Sequence, residues 1–131
     1  MENLTAEFLG TALLILLGNG VVANVLLSKT KGESSGWIVI TMGWGAALFV
    51  AVLCVGDISG AHINPAVTIG LLSAGEIQYI NAIYYIIGQS IGAFIACVIL
   101  YLHYLPHWSK TEDKSVKLGV FATSPSIKSN K

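Results

Sequence analysis

Three stretches of this chain run for twenty residues or more without a formal charge: Phe8 to Leu27, Trp37 to Gly56 and Ile77 to Tyr104. A helix needs about 20 apolar residues to cross a hydrocarbon core about 30 Å thick, so each run is long enough to span. The runs predict transmembrane helices at about 6–28, 37–56 and 77–104. Composition decides between lipid and a soluble core. The chain is 54% hydrophobic and 11% charged, with a mean hydropathy of +0.73, and its charges cluster outside the runs; soluble domains are rarely so apolar. The first run is read as a membrane span rather than a cleaved leader. No basic flank precedes it, and it is longer than the h-region of a signal peptide.

Small residues recur inside the spans. Gly43, Ala47 and Ala51 stand four apart in the second, as do Gly88, Gly92 and Ala96 in the third; the first offers Ala6 with Gly10, and Gly18 with Gly20. Lipid removes the hydrophobic drive between helices, so such stripes matter by letting backbones approach closely. A compact bundle is expected. Cys54 and Cys97 both lie in apolar runs and read as small packing residues rather than disulfide halves.

Between the second and third spans stands a segment of different character, SGAHINPAVTIG at Ser59 to Gly70. Asparagine is a strong N-cap and proline is favoured at the first helical position, so Asn64 and Pro65 predict a helix start. That helix is expected to end near Gly75, about ten residues or roughly 15 Å later, too short to cross alone. The polar stretch Asp57 to Asn64 leads into it. Irregular backbone at membrane depth is tolerated only where it is buried in protein or lines water, which makes 57–75 a re-entrant loop with a half-helix. The carbonyls of Gly60, Ala61, His62 and Ile63 then point into a channel as acceptors, beside the amide of Asn64 and the positive end of the helix dipole.

These residues, with AEFLGTALLILLGNG at Ala6 to Gly20 and GWG at Gly43 to Gly45, resemble the first half of the aquaporin and glycerol-facilitator family. The segment HWSKTEDKSVKLGVFATSPSIK at His107 to Lys128 resembles the extracellular third loop of its bacterial glycerol facilitators. The resemblance implies an all-α membrane protein with three transmembrane helices and one re-entrant half-helix. This is one inverted repeat of the aquaporin-like fold, over residues 1–104, followed by an extracellular connecting segment at 105–131. It also implies a bacterial plasma membrane, glycerol and water as permeants, and assembly as a homotetramer.

By the same resemblance Asn64, Pro65 and Ala66 form the first Asn-Pro-Ala box, and Trp44 is an aromatic wall of the selectivity filter. Its position mid-span between two glycines is unusual for a tryptophan that merely faces lipid, since tryptophan prefers the interfaces. Trp37 and Trp108, at span edges, read as interfacial anchors. Glu7 resembles the family's buried glutamate, which accepts hydrogen bonds from the loop backbone; from the residues alone, a solvated charge in a first helical turn accounts for it equally well. His62 is given a structural role, its side chain bonded to neighbours. No second histidine or cysteine stands at ligand spacing, so no metal is expected. Asn19, Asn24, Asn81, Gln89 and Ser90 read as interhelical hydrogen-bond partners.

The family pattern contains a second repeat with another Asn-Pro-Ala box followed by an arginine, and this sequence has no arginine. The expectation is half a channel, completed by a second half from elsewhere. Orientation brings two rules into conflict. A cytoplasmic N-terminus, as the resemblance implies, places Lys29, Lys31, Lys110, Lys114, Lys117, Lys128 and Lys131 all outside, where the positive-inside rule predicts the reverse. No nucleophile with a base, phosphate-cradling loop or cofactor motif is present, and seven basic residues balanced by seven acidic ones give no basic face for nucleic acid. The chain is therefore expected to be a passive channel component for glycerol, water and small neutral solutes. The competing expectation is a non-conducting membrane protein that packs against full-length facilitators.

Overall fold

The computed structural model describes residues 1–123, 125 and 127. Lys128 and Lys131, counted in the lysine distribution above, lie outside the described residues. Among the described residues the regular elements are all helices, in the order α1 (Glu2–Leu26), α2 (Trp37–Ser59), α3 (Pro65–Ser73), α4 (Tyr79–His103), α5 (Leu105–Lys110) and α6 (Lys114–Gly119). Three of these, α1, α2 and α4, are long and apolar enough to cross a membrane. Their outward faces carry exposed apolar side chains, among them Leu9, Phe49, Leu53, Ile91 and Phe94.

Helix α1 is the spine, packed against α2 on one side and α4 on the other. The glycines show how. A Cβ on Gly88 of α4 would stand 2.5 Å from the Leu4 carbonyl oxygen, and one on Gly92 would collide with the Phe8 carbonyl, so α4 rests directly on the α1 backbone. Further along, Gly20 faces Leu100. Residue numbers rise together along this contact, so α1 and α4 are parallel. Against α2 they run in opposition, Gly10 meeting Val55, Gly18 meeting Trp44 and Val21 meeting Gly43. The small-residue stripes read from the sequence are these contact lines, with Ala47, Ala51 and Ala96 fully buried along them.

Helix α1 begins four residues earlier than expected, at Glu2, and three further differences carry a physical reason. The polar stretch predicted to begin at Asp57 is helical through Ser59; α2 stops only at Gly60, whose φ of +78° is the left-handed conformation that glycine tolerates. Polarity alone does not end a helix whose last turn finds partners. The half-helix ends at Ser73 and not at Gly75, which instead sits one position past the cap at φ +79°. Its amide donates to the Leu72 carbonyl and that of Glu76 to Leu71, the two bonds of a Schellman ending. The third difference is beyond α4, where the segment expected as a plain connection forms two short helices. Asp113 caps the second of them by accepting from the Ser115 amide.

This outer segment is fastened to the end of α1. Ser28 donates its amide to Thr111 Oγ1 at 2.9 Å, and its carbonyl oxygen lies 3.1 Å from His107 Nδ1. Val120 is buried with Ala23, Leu27 and Leu100, and Trp108 packs beside them against Tyr101 and Phe121. Trp108, expected as an interfacial anchor, thus also closes a small apolar core; Trp37 is largely exposed.

Candidate functional site: a re-entrant loop suspended from a buried carboxylate

Between α2 and α3 the backbone takes four residues to turn back, Gly60 to Ile63, and three of them have positive φ: Gly60 +78°, Ala61 +48° and Ile63 +40°. For a β-branched isoleucine this is a rare conformation, and left-handed non-glycine residues cost of order 1–3 kcal/mol each. Strain of that size persists only where the surroundings over-determine it, and here they do.

The restraint is Glu7. Its side chain, fully buried on α1, accepts four hydrogen bonds. Oε1 receives the Ser59 hydroxyl at 2.6 Å and the His62 amide at 3.0 Å; Oε2 receives the Ile63 amide and the Gln89 side-chain amide, each at 2.7 Å. Donors from α2, the loop and α4 thus converge on one carboxylate. A buried acid without a cationic partner is costly unless its lone pairs are filled, and four donors fill them. The solvated reading of Glu7 does not hold in this structure, because helix packing closes over a residue that its sequence neighbourhood leaves ambiguous.

A second node extends the first. Thr68 of α3 is fully buried; its hydroxyl accepts from Gln89 Nε2 at 3.0 Å and lies 3.1 Å from His62 Nδ1 and 3.3 Å from the Asn64 carbonyl oxygen. Tyr85 of α4 donates its hydroxyl to the Ser59 carbonyl at 2.7 Å, and its ring lies 4.5 Å from that of His62. Ser59, Thr68 and Tyr85 escaped the sequence reading. A signal existed for Thr68, which stands four residues after Asn64 and so one helical turn inside the cap. Of the in-span polar residues, Gln89 bonds across helices. Ser90 is instead exposed and donates to Ile86 of its own helix. Among the described residues no interhelical bond is made by the side chains of Asn19, Asn24 or Asn81; Asn24 lies under Gly32 of the α1–α2 connection.

With the His62 and Ile63 amides turned to Glu7, and that of Ala61 to Ser59 Oγ, the other side of the loop is left open. Among the described residues no hydrogen bond ends on the carbonyls of Gly60, Ala61, His62 or Ile63. Asn64 caps α3 as its type predicts, its Oδ1 accepting from the Ala66 amide at 2.9 Å, with Pro65 at the first helical position. Asn64, Pro65, Ala66 and Val67 are exposed. The side chain of Ile63 meets α1 at Gly10, about 12 Å from the start of that helix at about 1.5 Å per residue, so the loop lies within the depth of the membrane-length helices.

Trp44 stands apart from this network. It is half-buried between α1 and α2, packed with Val22, Val25 and Ile40. Its indole borders a cavity of about 480 Å³ lined also by Val22, Trp37 and Ile40, with Gly119 and Ala122 reaching in from the outer segment. The structure therefore brings Glu7, Gly60, Ala61, His62, Ile63 and Asn64 to one place and Trp44 to another. Among the described residues no three histidine, cysteine, aspartate or glutamate side chains gather as a metal-ligand set.

Three membrane-length helices, with a half-helix packed on the third of them, define a multi-pass membrane protein with a re-entrant loop. Comparison with known proteins gives the family. Residues 1–129 match the major intrinsic protein family. The chain is 58% identical over 128 residues to a probable glycerol uptake facilitator protein of Thermotoga maritima, covering 98% of this chain and 55% of that one. It is 53% identical to the glycerol uptake facilitator protein of Bacillus subtilis, covering 97% and 46%. In structure it resembles the aquaglyceroporin of Plasmodium falciparum, with a TM-score of 0.76 and 37% identity over 83% of this chain and 44% of that one. The chain belongs to the major intrinsic protein family, a family of membrane channels and not of enzymes. It spans about half the length of the curated relatives it matches.

Proposed function

We propose that this chain builds one half of a passive pore for glycerol, with water and other small neutral solutes. The observation that carries the reading is the loop from Gly60 to Ile63. Its amides are all committed, those of His62 and Ile63 to Glu7, that of Ala61 to Ser59 Oγ and that of Gly60 to the Gly56 carbonyl, while among the described residues its carbonyls are left without partners, which makes a fixed ladder of neutral acceptors. A solute with hydroxyl groups exchanges its hydration for such a ladder at little reorganisation, because the loop is already locked. Ions do not gain equally, since the acceptors carry no charge and the N-terminal end of α3 presents its positive dipole to cations. The names of the Thermotoga and Bacillus relatives point to glycerol among such solutes. On this reading Asn64, Pro65 and Ala66 form the pore box, and Trp44 is an apolar wall along which the carbon backbone of a polyol slides.

The exposed tip supports the half-pore reading. A polar asparagine and the first turn of a helix do not face lipid within the membrane without partners, so a complementary half, on the same polypeptide or another, is required to cover them. The test is stopped-flow glycerol flux in proteoliposomes. Residues 1–131 alone are expected to conduct little above empty vesicles, and the chain joined to the second half of the Thermotoga relative is expected to conduct glycerol rapidly. Equal rates for the two would contradict the half-pore, and a joined, folded channel without glycerol flux would contradict the facilitator reading.

A further inference from the structure

The cavity beside Trp44 and the glycine behind it assign a role that neither residue has alone. A Cβ built on Gly18 would lie 2.5 Å from two carbons of the Trp44 ring and 2.7 Å from a third. Real Cβ atoms do not approach so closely. Gly18 is buried, and the indole lies flat over it. On α2 the neighbouring Gly43 meets Val21 at similarly short range, which lets the helix carrying Trp44 sit tight against α1. The ring meets the bare backbone of α1 at Gly18 and packs with Val22, Val25 and Ile40. Its remaining side is the cavity, which Gly18 does not line.

We propose that Gly18 is the seat that sets how far the Trp44 indole projects into this cavity, and so a positioning residue for solute size. The inference rests on the reading of Trp44 as a pore wall given above. A methyl group at position 18 cannot be absorbed by the α1 backbone, which is fixed by its packing on α4. The indole must move, and the cavity is the open space that it borders. The passage narrows by about one methyl thickness, enough to hinder a polyol and leave room for water.

The experiment has two arms. In the first, the full chain is labelled with 5-fluorotryptophan and followed by fluorine NMR in nanodiscs. Gly18→Ala is expected to move the Trp44 resonance and leave those of Trp37 and Trp108 in place. In the second, the chain is completed with the second half of the Thermotoga relative and glycerol and water fluxes are compared. Gly18→Ala is expected to lower the glycerol-to-water ratio about tenfold, the order of effect that one methylene has in a tight pocket. Paired with Trp44→Phe, Gly18→Ala is expected to have little further effect, because the smaller ring no longer touches position 18.

An unmoved Trp44 resonance overturns the seat. So does a ratio loss that persists undiminished in the Trp44→Phe background. A moved resonance with an unchanged ratio in a conducting channel overturns the role in solute size; if Trp44→Phe is also silent there, the reading of Trp44 as a pore wall falls with it. Should Gly18→Ala fail to fold, folding of the Gly18→Ala, Trp44→Phe pair supports the close contact with the ring, and failure of the pair shows that Gly18 serves the backbone and not the indole.

Discussion

The base of the re-entrant loop and its tip, only a few residues apart, are built on opposite terms. At the base, the Ser59 hydroxyl, the His62 and Ile63 amides and the Gln89 side-chain amide converge on a carboxylate with no exposed surface. At the tip, Asn64 to Val67 satisfy their own helix cap and little else, and all four are exposed. The base draws its donors from within this chain, while the tip is shaped within it and left exposed. Strain follows the same division: Ala61 and Ile63 hold positive φ beside the carboxylate that restrains them, and Asn64 is in ordinary extended geometry.

The contrast predicts that the two ends fail differently. Glu7→Leu removes the acceptor and strands several buried donors, so it is expected to destabilise the chain by about 3 kcal/mol or more, since each unmet buried group costs of order 1–3 kcal/mol. Thermal unfolding in detergent checks this, and a stability within error of the parent would mean that the loop does not hang from Glu7. Asn64→Asp at the tip should do the reverse. Aspartate caps a helix about as well as asparagine, so stability should change by less than about 0.5 kcal/mol. In the completed channel, however, glycerol flux should fall, because a charge then stands among neutral acceptors; unchanged flux would remove Asn64 from the pore.

The smallest effect belongs to the outer segment, which is capped like the tip but lies outside the membrane spans. The Ser115 hydroxyl, and then its amide, hold the Asp113 carboxyl below its ordinary value. A depressed folded pKa means that the capping contribution is complete above the unfolded carboxylate value, about 3.9, and is lost as pH falls through the lower folded one. Amide exchange across α6 should accelerate, relative to its intrinsic pH dependence, only below that value. A change near neutral pH would show that Asp113 does not control the cap.

Much of this arrangement was legible in the sequence, and the parts that were not share a cause. Charge-free length gave the spans. Cap chemistry gave the start of α3, because Asn64 and Pro65 act within one turn of themselves, and the four-residue spacing of glycine and alanine gave the contact lines. The fate of Glu7 was undetermined, since burial of a charge depends on donors 52 to 82 residues away. Ser59 and Tyr85 were missed for the same reason, and so was the seat of Trp44 on Gly18. The continuation of α2 through Asp57 was missed because a polar residue says nothing of where the next stop lies; Gly60 does. The short helices α5 and α6 did carry local signals, Pro106 in the first turn of one and Asp113 capping the other.

The central claim is that a loop anchored at Glu7 presents its tip to a solute pathway completed by a second half. It is tested most directly by placing one thiol at that tip. In a completed channel lacking other cysteines, with Cys54 and Cys97 replaced by serine, Ala66→Cys is treated with a small neutral thiol reagent while glycerol flux is recorded. The account predicts that modification blocks flux and that glycerol slows the modification. Complete modification with glycerol flux unchanged would contradict it.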